Sequence, residues 1–447
     1  MRSRTTSLAV ASMAVALLLS AAGCGGSSAA PFKIGVLADC TGLVGATHDW
    51  SVAAAELPLL QHGGHLVGKG PAGGVEGAKV AGRRIEIVEG CSETGVYGRL
   101  ITETRQLVEI DHVDAVVGGF GFSDGIVFRE LARRYPTVPF LLVVSVAREA
   151  TTHRPAANLY RFVPDIEQDT AGLATYAYRT LGWRHAAVMA EYTANGWGGV
   201  AAFTREFCAL GGTTRTIWTT ELGYGPAKPL LKQVPASADG LVVLSAYGSF
   251  GTPVPLIRGW LAQHPDAARS LLLGLWMFPP LDTAPFAALW PDLRGVVARL
   301  DGVPDPSSAS DVAYRKAFAQ AFPGLPPSVA SNLDARPYST AVDALLQSLQ
   351  KTHGQVGDGR ARLRAALDSA RSDTLWGRVH LDRNRQAVVP VTLERIMGTT
   401  TGGAPSLRPV TRLGEVDQTV GGLFSPGDSP SPAHAECKRA TPPPWAK

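Results

Sequence analysis

From Lys33 onward, short apolar runs alternate with stretches whose apolar residues recur at helical spacing, and this alternation limits the fold more than any other feature of the chain. The runs "KIGVLAD" (33–39), "IEIVEG" (85–90), "DAVVGG" (114–119) and "PFLLVV" (139–144) are separated by "SVAAAELPLLQH", "VYGRLITETRQLVEI" and "IVFRELARRY". Strands that read apolar throughout need cover on both faces, so the pattern predicts an α/β fold with a mostly parallel sheet between two helical layers. The glycine-rich stretch 63–82 reads as a surface loop. After a connection at about 151–164 the alternation restarts with "DIEQDTAGLATYAYRTLG", "HAAVMAE", "GWGGVAAFTREFCALGG", "GLVVLSAY" and "SLLLGLW", which predicts a second lobe. Helical patterns return in "DVAYRKAFAQAF", "YSTAVDALLQSLQKT" and "GRARLRAALDSA". The segment "LWGRVHLDRNRQAVVPVTLERI" alternates with period two around Asp382–Arg385 and reads as a hairpin. From Gly398 the chain is dominated by Gly, Pro, Ser and Thr, so 398–447 is expected to be an irregular tail.

The segment before Lys33 follows another logic. Residues 1–23 have a basic start, an apolar run from Leu8 to Leu19 and small residues before Cys24, as an export signal does. The apolar run is too short to cross a membrane comfortably. Ala21-Ala22-Gly23-Cys24 resembles the lipobox of bacterial lipoproteins, with Ala21 where leucine is usual. The resemblance implies a lipid on Cys24, an anchor on the outer face of the bacterial cell membrane, and a flexible tether over 24–31. Four cysteines then remain, Cys40, Cys91, Cys208 and Cys437, an even number that suits two disulfides in an oxidising compartment. Their spacings contain no C-x-x-C, and His62 and His65 sit in a glycine-rich run without a third ligand nearby, so neither a metal nor another cofactor is expected. The net charge of +4 falls to +2 without Arg2 and Arg4, which argues against nucleic acid as a partner.

Gly121-Phe122-Ser123-Asp124-Gly125 is a literal G-x-S-x-G between an apolar run and a helical one, the setting of a hydrolase nucleophile elbow. A hydrolase would need a histidine oriented by an acid. His153, His185, His264, His353 and His380 are available, but His380 alternates within a strand and His353 follows a helix beside Gly354. The other reading is a glycine-rich loop whose hydroxyl and helix N–H groups hold an acceptor such as a carboxylate, with Ser123 also able to cap the helix from Asp124.

The segments "KIGVLADCTG", "VAGRRIEIVEG", "VDAVVGGFGFSDG", "LYRFVPDIEQDTAGLATYAYRTLGWRHAAVMAEYTANGWGGVAAFTREFCALGG", "GLVVLSAYG", "YSTAVDALLQSL" and "WGRVHLDRNRQAVVPV", in this order over residues 32–397, resemble the type I periplasmic binding proteins. Within these, the likeness is to the branched-chain amino-acid family of ABC importers. The resemblance implies two doubly wound α/β lobes joined by three chain crossings, with a ligand enclosed between them. Lobe 1 would be 32–155 and 281–374; lobe 2 would be 156–280 and 375–397. It implies a ligand carboxylate held by Gly121, Phe122 and Ser123 and by Ser145, Val146 and Ala147, with aromatic Tyr192, Tyr247 and Trp276 closing from the facing lobe. In the strand order it implies, the ends carrying Cys40 and Cys91 are neighbours within bridging reach, which leaves Cys208 and Cys437 for each other. The partners implied are a small-molecule ligand and an importer permease, met by a monomeric binding protein.

Amino-acid binders of this type usually carry an acidic residue at the end of the strand matching "SLLLGLW", to pair with the ligand's ammonium. Here that region reads Leu275-Trp276-Met277-Phe278. The departure predicts an aromatic, weakly charged pocket for a ligand with a carboxylate or amide end, and weak binding of leucine, isoleucine and valine. A sensor of the same fold, or a hydrolase using Ser123, are the competing functions.

Overall fold

The computed structural model describes residues 30–42, 44–121, 123–219, 226–245, 253–275, 287–301, 308–432, 437 and 440–447. The first sheet is built from strands β1 (Phe32–Asp39), β2 (Arg83–Ser92), β3 (Ala115–Gly118), β4 (Phe140–Leu142) and β5 (Leu159–Arg161), in the order β2-β1-β3-β4-β5, all parallel. A short antiparallel strand, Lys79–Val80, closes the β2 edge. Period-two alternation splits this sheet's side chains between two cores. Phe32, Ile34, Val36, Ala115 and Val117 enter one, and Leu37, Val116 and Phe140 the other. Each fully buried aliphatic side chain of this kind stabilises by about 1.5–3 kcal/mol.

The second sheet contains β6 (His185–Ala190), β7 (Thr213–Trp218), β8 (Gly240–Ser245), β9 (Leu271–Leu275), β10 (Val297–Leu300), β11 (Arg371–Thr374), β12 (Gly377–Leu381), β13 (Ala387–Thr399) and β14 (Pro405–Val416). Its path is β7-β6-β8-β9-β10-β13-β12-β11, with β14 paired to β13. The first five strands are parallel and the C-terminal ones antiparallel. Leu241 and Val243 face one core while Val242 and Leu244 face the other.

Three passages carry the chain between the sheets. The first leaves β5 at 162–165, the second leaves β10 after Leu300 for the helix Ala309–Ala321, and the third joins the helix Ala361–Asp368 to β11. Three strands lie across the expected lobe boundaries, among them β11, placed in lobe 1 by the sequence but paired with β12 of the second sheet. β5, placed in lobe 2 by the sequence, pairs with β4 at Leu159 opposite Phe140, where the Asn158 amide ties down the carbonyls of Ala132, Tyr135 and Val138. β10, placed in lobe 1, is a fully buried run inserted between β9 and β13.

The tail also departs from expectation. Residues 405–416 form β14 and pair along β13 with three register shifts. Among the described strands β14 pairs with β13 only, and an outer strand tolerates Pro405 and Pro409, which is why its composition reads as irregular. Cys40 is bonded to Cys91 and Cys208 to Cys437, each with Cα atoms 5.4 Å apart.

Candidate ligand-binding site

The carboxyl ends of the parallel strands of both sheets open toward the region where the passages converge, the place where open α/β sheets bind ligands. On the first sheet, the loop leaving β3 turns at Gly119, whose φ is +81°. The Gly121 N–H donates to Asp124 Oδ2 at 2.8 Å, and the Gly125 N–H to Ser145 Oγ at 3.0 Å. These contacts explain the G-x-S-x-G pattern. A Cβ on Gly121 would lie 2.6 Å from Asp124 Oδ2, and one on Gly125 would lie 2.7 Å from Ser145 Oγ. The glycines make room for a carboxylate that ties the loop back onto the helix Asp124–Arg134 and for a hydroxyl that accepts from that helix's second N–H. Ser123 stands at the cap position, yet its side chain makes no capping bond. Burial, with the nearby Asp39 charge added, pushes the Asp124 carboxyl up to about 6 despite the Gly121 N–H. Asp39 itself accepts from Ser92 Oγ at 2.7 Å and from the Thr94 N–H at 2.7 Å.

The loop after β4 is fixed from beneath by Arg161, a fully buried side chain. Its Nη1 donates to the carbonyls of Ser145 (3.1 Å) and Ala147 (2.7 Å), its Nη2 to Thr151 Oγ1 (3.0 Å), and its Nε to Gln386 Oε1. Val144 and Val146 line a small cavity at the passages. Val163, Pro164 and Ile166 reach it from the first passage, Asp301 from the second, and Trp376 from the turn between β11 and β12, just past the third. Asp169, Asn195, Leu333 and Pro337 complete the wall. The cavity holds about 20 Å³, room for one water-sized group.

The polar side of this cavity is an ion cluster. Arg299 Nη2 lies 2.6 Å from Asp169 Oδ1 and 2.9 Å from Asp301 Oδ1, and Trp376 Nε1 donates to Asp301 Oδ1 at 2.9 Å. Burial, together with the Asp169 charge, drives the Asp301 carboxyl well above the usual range, whereas the two carboxylates hold the Arg299 guanidinium up against its own desolvation. Arg299, Asp301, Asp169 and Trp376 were not anticipated. Two charged residues two positions apart at the end of an otherwise apolar run, "VVARLD", were the available signal.

On the second sheet, Tyr192 follows β6 and is 46% exposed. Its ring meets Trp197 (5.5 Å) and Trp218 (5.8 Å) edge to face, an aromatic group of which only Tyr192 was expected. Asn195, in the first turn of the helix Ala194–Ala209, is buried with its Oδ1 unpartnered, and Glu191 Oε1 accepts from Ser245 Oγ at 2.8 Å. The structure therefore gathers Gly121, Ser123, Ser145, Val146 and Ala147 on one side and sets Tyr192 on the other sheet. Phe122, Tyr247, Trp276 and Cys24 lie outside the described residues. A roomier hollow of about 310 Å³ lies beside Arg148, Asp382, Asp417 and Phe424, but among the described residues none at the end of a parallel second-sheet strand lines it.

No curated protein sequence matches the chain. Among solved structures, an ABC transporter substrate-binding protein from Sphaerobacter thermophilus is similar, with 20% identity and a TM-score of 0.69 over 86% of this chain and 98% of that one. A solute-binding protein of an ABC transporter from Rhodopseudomonas palustris BisB5, in complex with 3,4-dihydroxybenzoic acid, gives 18%, 0.66, 86% and 97% in the same terms. A leucine-binding protein from Thermotoga maritima gives 15%, 0.63, 86% and 98%. Residues 31–400 match the family described as periplasmic binding protein, and the chain belongs to that family.

Proposed function

We propose that this protein captures a small organic ligand outside the cytoplasm by closing two lobes over it, and delivers it to the permease of an ABC importer from a lipid anchor at Cys24. The observation that carries this reading is the cavity at the three passages, walled by residues of both sheets, at the strand ends where this fold holds ligands. Ser123 serves binding in this reading: it occupies the cap position of the helix Asp124–Arg134 without a capping bond of its own, and the family is one of binding proteins.

The ligand has a carboxylate or amide end and an apolar or aromatic body. Helix N-termini at Asp124 and Ala194, with the Asn195 amide, suit the polar end, and Val144, Val146, Tyr192 and the neighbouring tryptophans suit the body. Zwitterionic leucine would need a spare anion for its ammonium. Five nearby carboxylates are committed, Asp39 to Ser92 and Thr94, Asp124 to Gly121, Glu191 to Ser245, and Asp169 and Asp301 to Arg299, while desolvation drives Asp334 and Glu167, beside the wall residues Leu333 and Ile166, well above the usual carboxyl range. The similar protein from Rhodopseudomonas palustris holds an aromatic acid, which supports the same direction.

Thermal-shift titration of the purified protein against hydroxybenzoates, benzoate, aliphatic carboxylates and the branched-chain amino acids tests this. Stabilisation by an aromatic acid is expected. Micromolar calorimetric binding of leucine, isoleucine or valine would overturn the ligand class, and failure of every small acid and amide in the library would overturn the reading of the cavity.

A further inference from the structure

We infer that residues 417–429, beyond the stretch matched to the family, position the lobe 1 ligand loop and couple it to the second lobe. Mechanically this segment belongs to the second lobe. It continues from β14, and Arg205, on the helix Ala194–Ala209, donates to the Leu423 carbonyl at 3.1 Å and to Asp428 Oδ2 at 2.6 Å. Cys437 is bonded to Cys208 of the same helix, and Trp445 Nε1 donates to Glu206 Oε1 at 3.2 Å.

Its other contacts are on lobe 1. Arg148, the residue after Ser145-Val146-Ala147, is 1% exposed, and its Nη1 and Nη2 donate to the carbonyls of Gln418 (3.1 Å) and Ser425 (3.2 Å). Gln418 Nε2 donates to Thr151 Oγ1 (2.9 Å) and to Asp165 Oδ2 (2.8 Å) in the first passage. Ser429 Oγ donates to Glu149 Oε1 at 2.5 Å. Phe424 joins the two sides: the Arg148 guanidinium lies 4.8 Å from its ring centroid and that of Arg205 4.2 Å. One cation belongs to each lobe, and both are largely withdrawn from water, where a ring's attraction for a cation is strongest. A rotation of the lobes about the passages changes the Arg148 to Arg205 separation. The segment must then either carry the loop with it or release the ring. Phe424 and Gln418 are thus positioning residues for the loop, and the segment sets how far the cleft opens.

The test uses the full chain with Phe424→Leu, which keeps apolar bulk but removes the ring, Phe424→Tyr, which keeps the ring, and Gln418→Ala. Backbone hydrogen exchange is read at 145–152, with β1 and β8 as internal references. Phe424→Leu and Gln418→Ala are expected to speed exchange at 145–152 by about tenfold with the references unmoved, and Phe424→Tyr to restore it. Unchanged exchange at 145–152 in both variants overturns the inference, as does an equal rise in β1 and β8, which would signal plain destabilisation. Affinity for benzoate, the probe ligand, should weaken by a similar factor. The affinity arm rests on the function proposed above: if wild type ignores benzoate, that proposal is in trouble, and the exchange result still decides this one.

Discussion

Two groups of buried carboxylates stand at the cleft, and they are satisfied in opposite ways. At the first sheet's edge, Asp39 and Asp124 are held by backbone N–H and hydroxyl donors from Ser92, Thr94 and Gly121. At the passages, Asp169 and Asp301 share the guanidinium of Arg299. Asp124 reaches a donor three residues away, whereas Arg299 and Asp169 are separated by 130. The edge group is therefore shaped by its own loops and persists whatever the lobes do. The passage group forms only when segments distant in sequence meet around the second sheet.

The comparison breaks most readily at Arg299. Arg299→Leu leaves Asp169 and Asp301 buried without their cation and should cost about 3–5 kcal/mol in denaturant unfolding. A loss below 1 kcal/mol would mean that the passages are not pinned by this cluster. Gly125→Ala attacks the edge group sterically, since the new Cβ would lie 2.7 Å from Ser145 Oγ and 3.0 Å from Leu142 Cδ2. About 1–3 kcal/mol of destabilisation is expected, measured in the same way, with the Arg299 cluster intact.

Glu56 sharpens the contrast, because it has neither solution. It is fully buried on the helix His48–Gln61 with both carboxyl oxygens unpartnered, and burial, aided by the Glu89 charge, pushes it up to about 8. Its folded value lies above its ordinary one near 4.5, so its contribution is complete below pH 4.5 and is lost as pH rises through 8. Glu56→Gln should flatten the stability profile across that window and stabilise at pH 8 by at least about 1 kcal/mol, since each unit of difference is worth about 1.4 kcal/mol. Asp124→Asn should do the same more weakly, between the ordinary value of 3.8 and about 6, because the amide oxygen can still accept from Gly121. A stability loss of 1 kcal/mol or more in Asp124→Asn at pH 7 would show that the charge at this helix N-terminus is favourable there.

Local order was legible in the residues. The parallel part of each sheet follows from runs such as "KIGVLAD" and "GLVVLSAY", and the turn at Asp382–Arg385 is held as its residue types suggest, with Asp382 Oδ1 accepting from the Asn384 and Gln386 N–H groups. What escaped depends on pairing across long separations. Nothing local tells Val297–Leu300 to insert between β9 and β13, and nothing in "VVARLD" names Asp169 as the partner of Arg299. The G-x-S-x-G pattern was visible, but the reason for its glycines was not: one of the groups they admit, Ser145, lies beyond the next strand. Proline and glycine hid β14, because an outer strand can absorb them where an inner one cannot.

The insertion of β13 beside β10 has a consequence for biogenesis. The second sheet begins at His185 but is completed only by residues 371–416, after the helices that cover the first sheet have been made. No continuous piece of the chain corresponds to either lobe, so a nascent fragment ending before residue 371 exposes the β10 edge that β13 will cover. Pairings this distant form slowly and leave adhesive edges open in the meantime. A chain with this connectivity has reason to be kept unfolded until all of it has been delivered, and a protein exported in extended form meets that requirement through the route it takes.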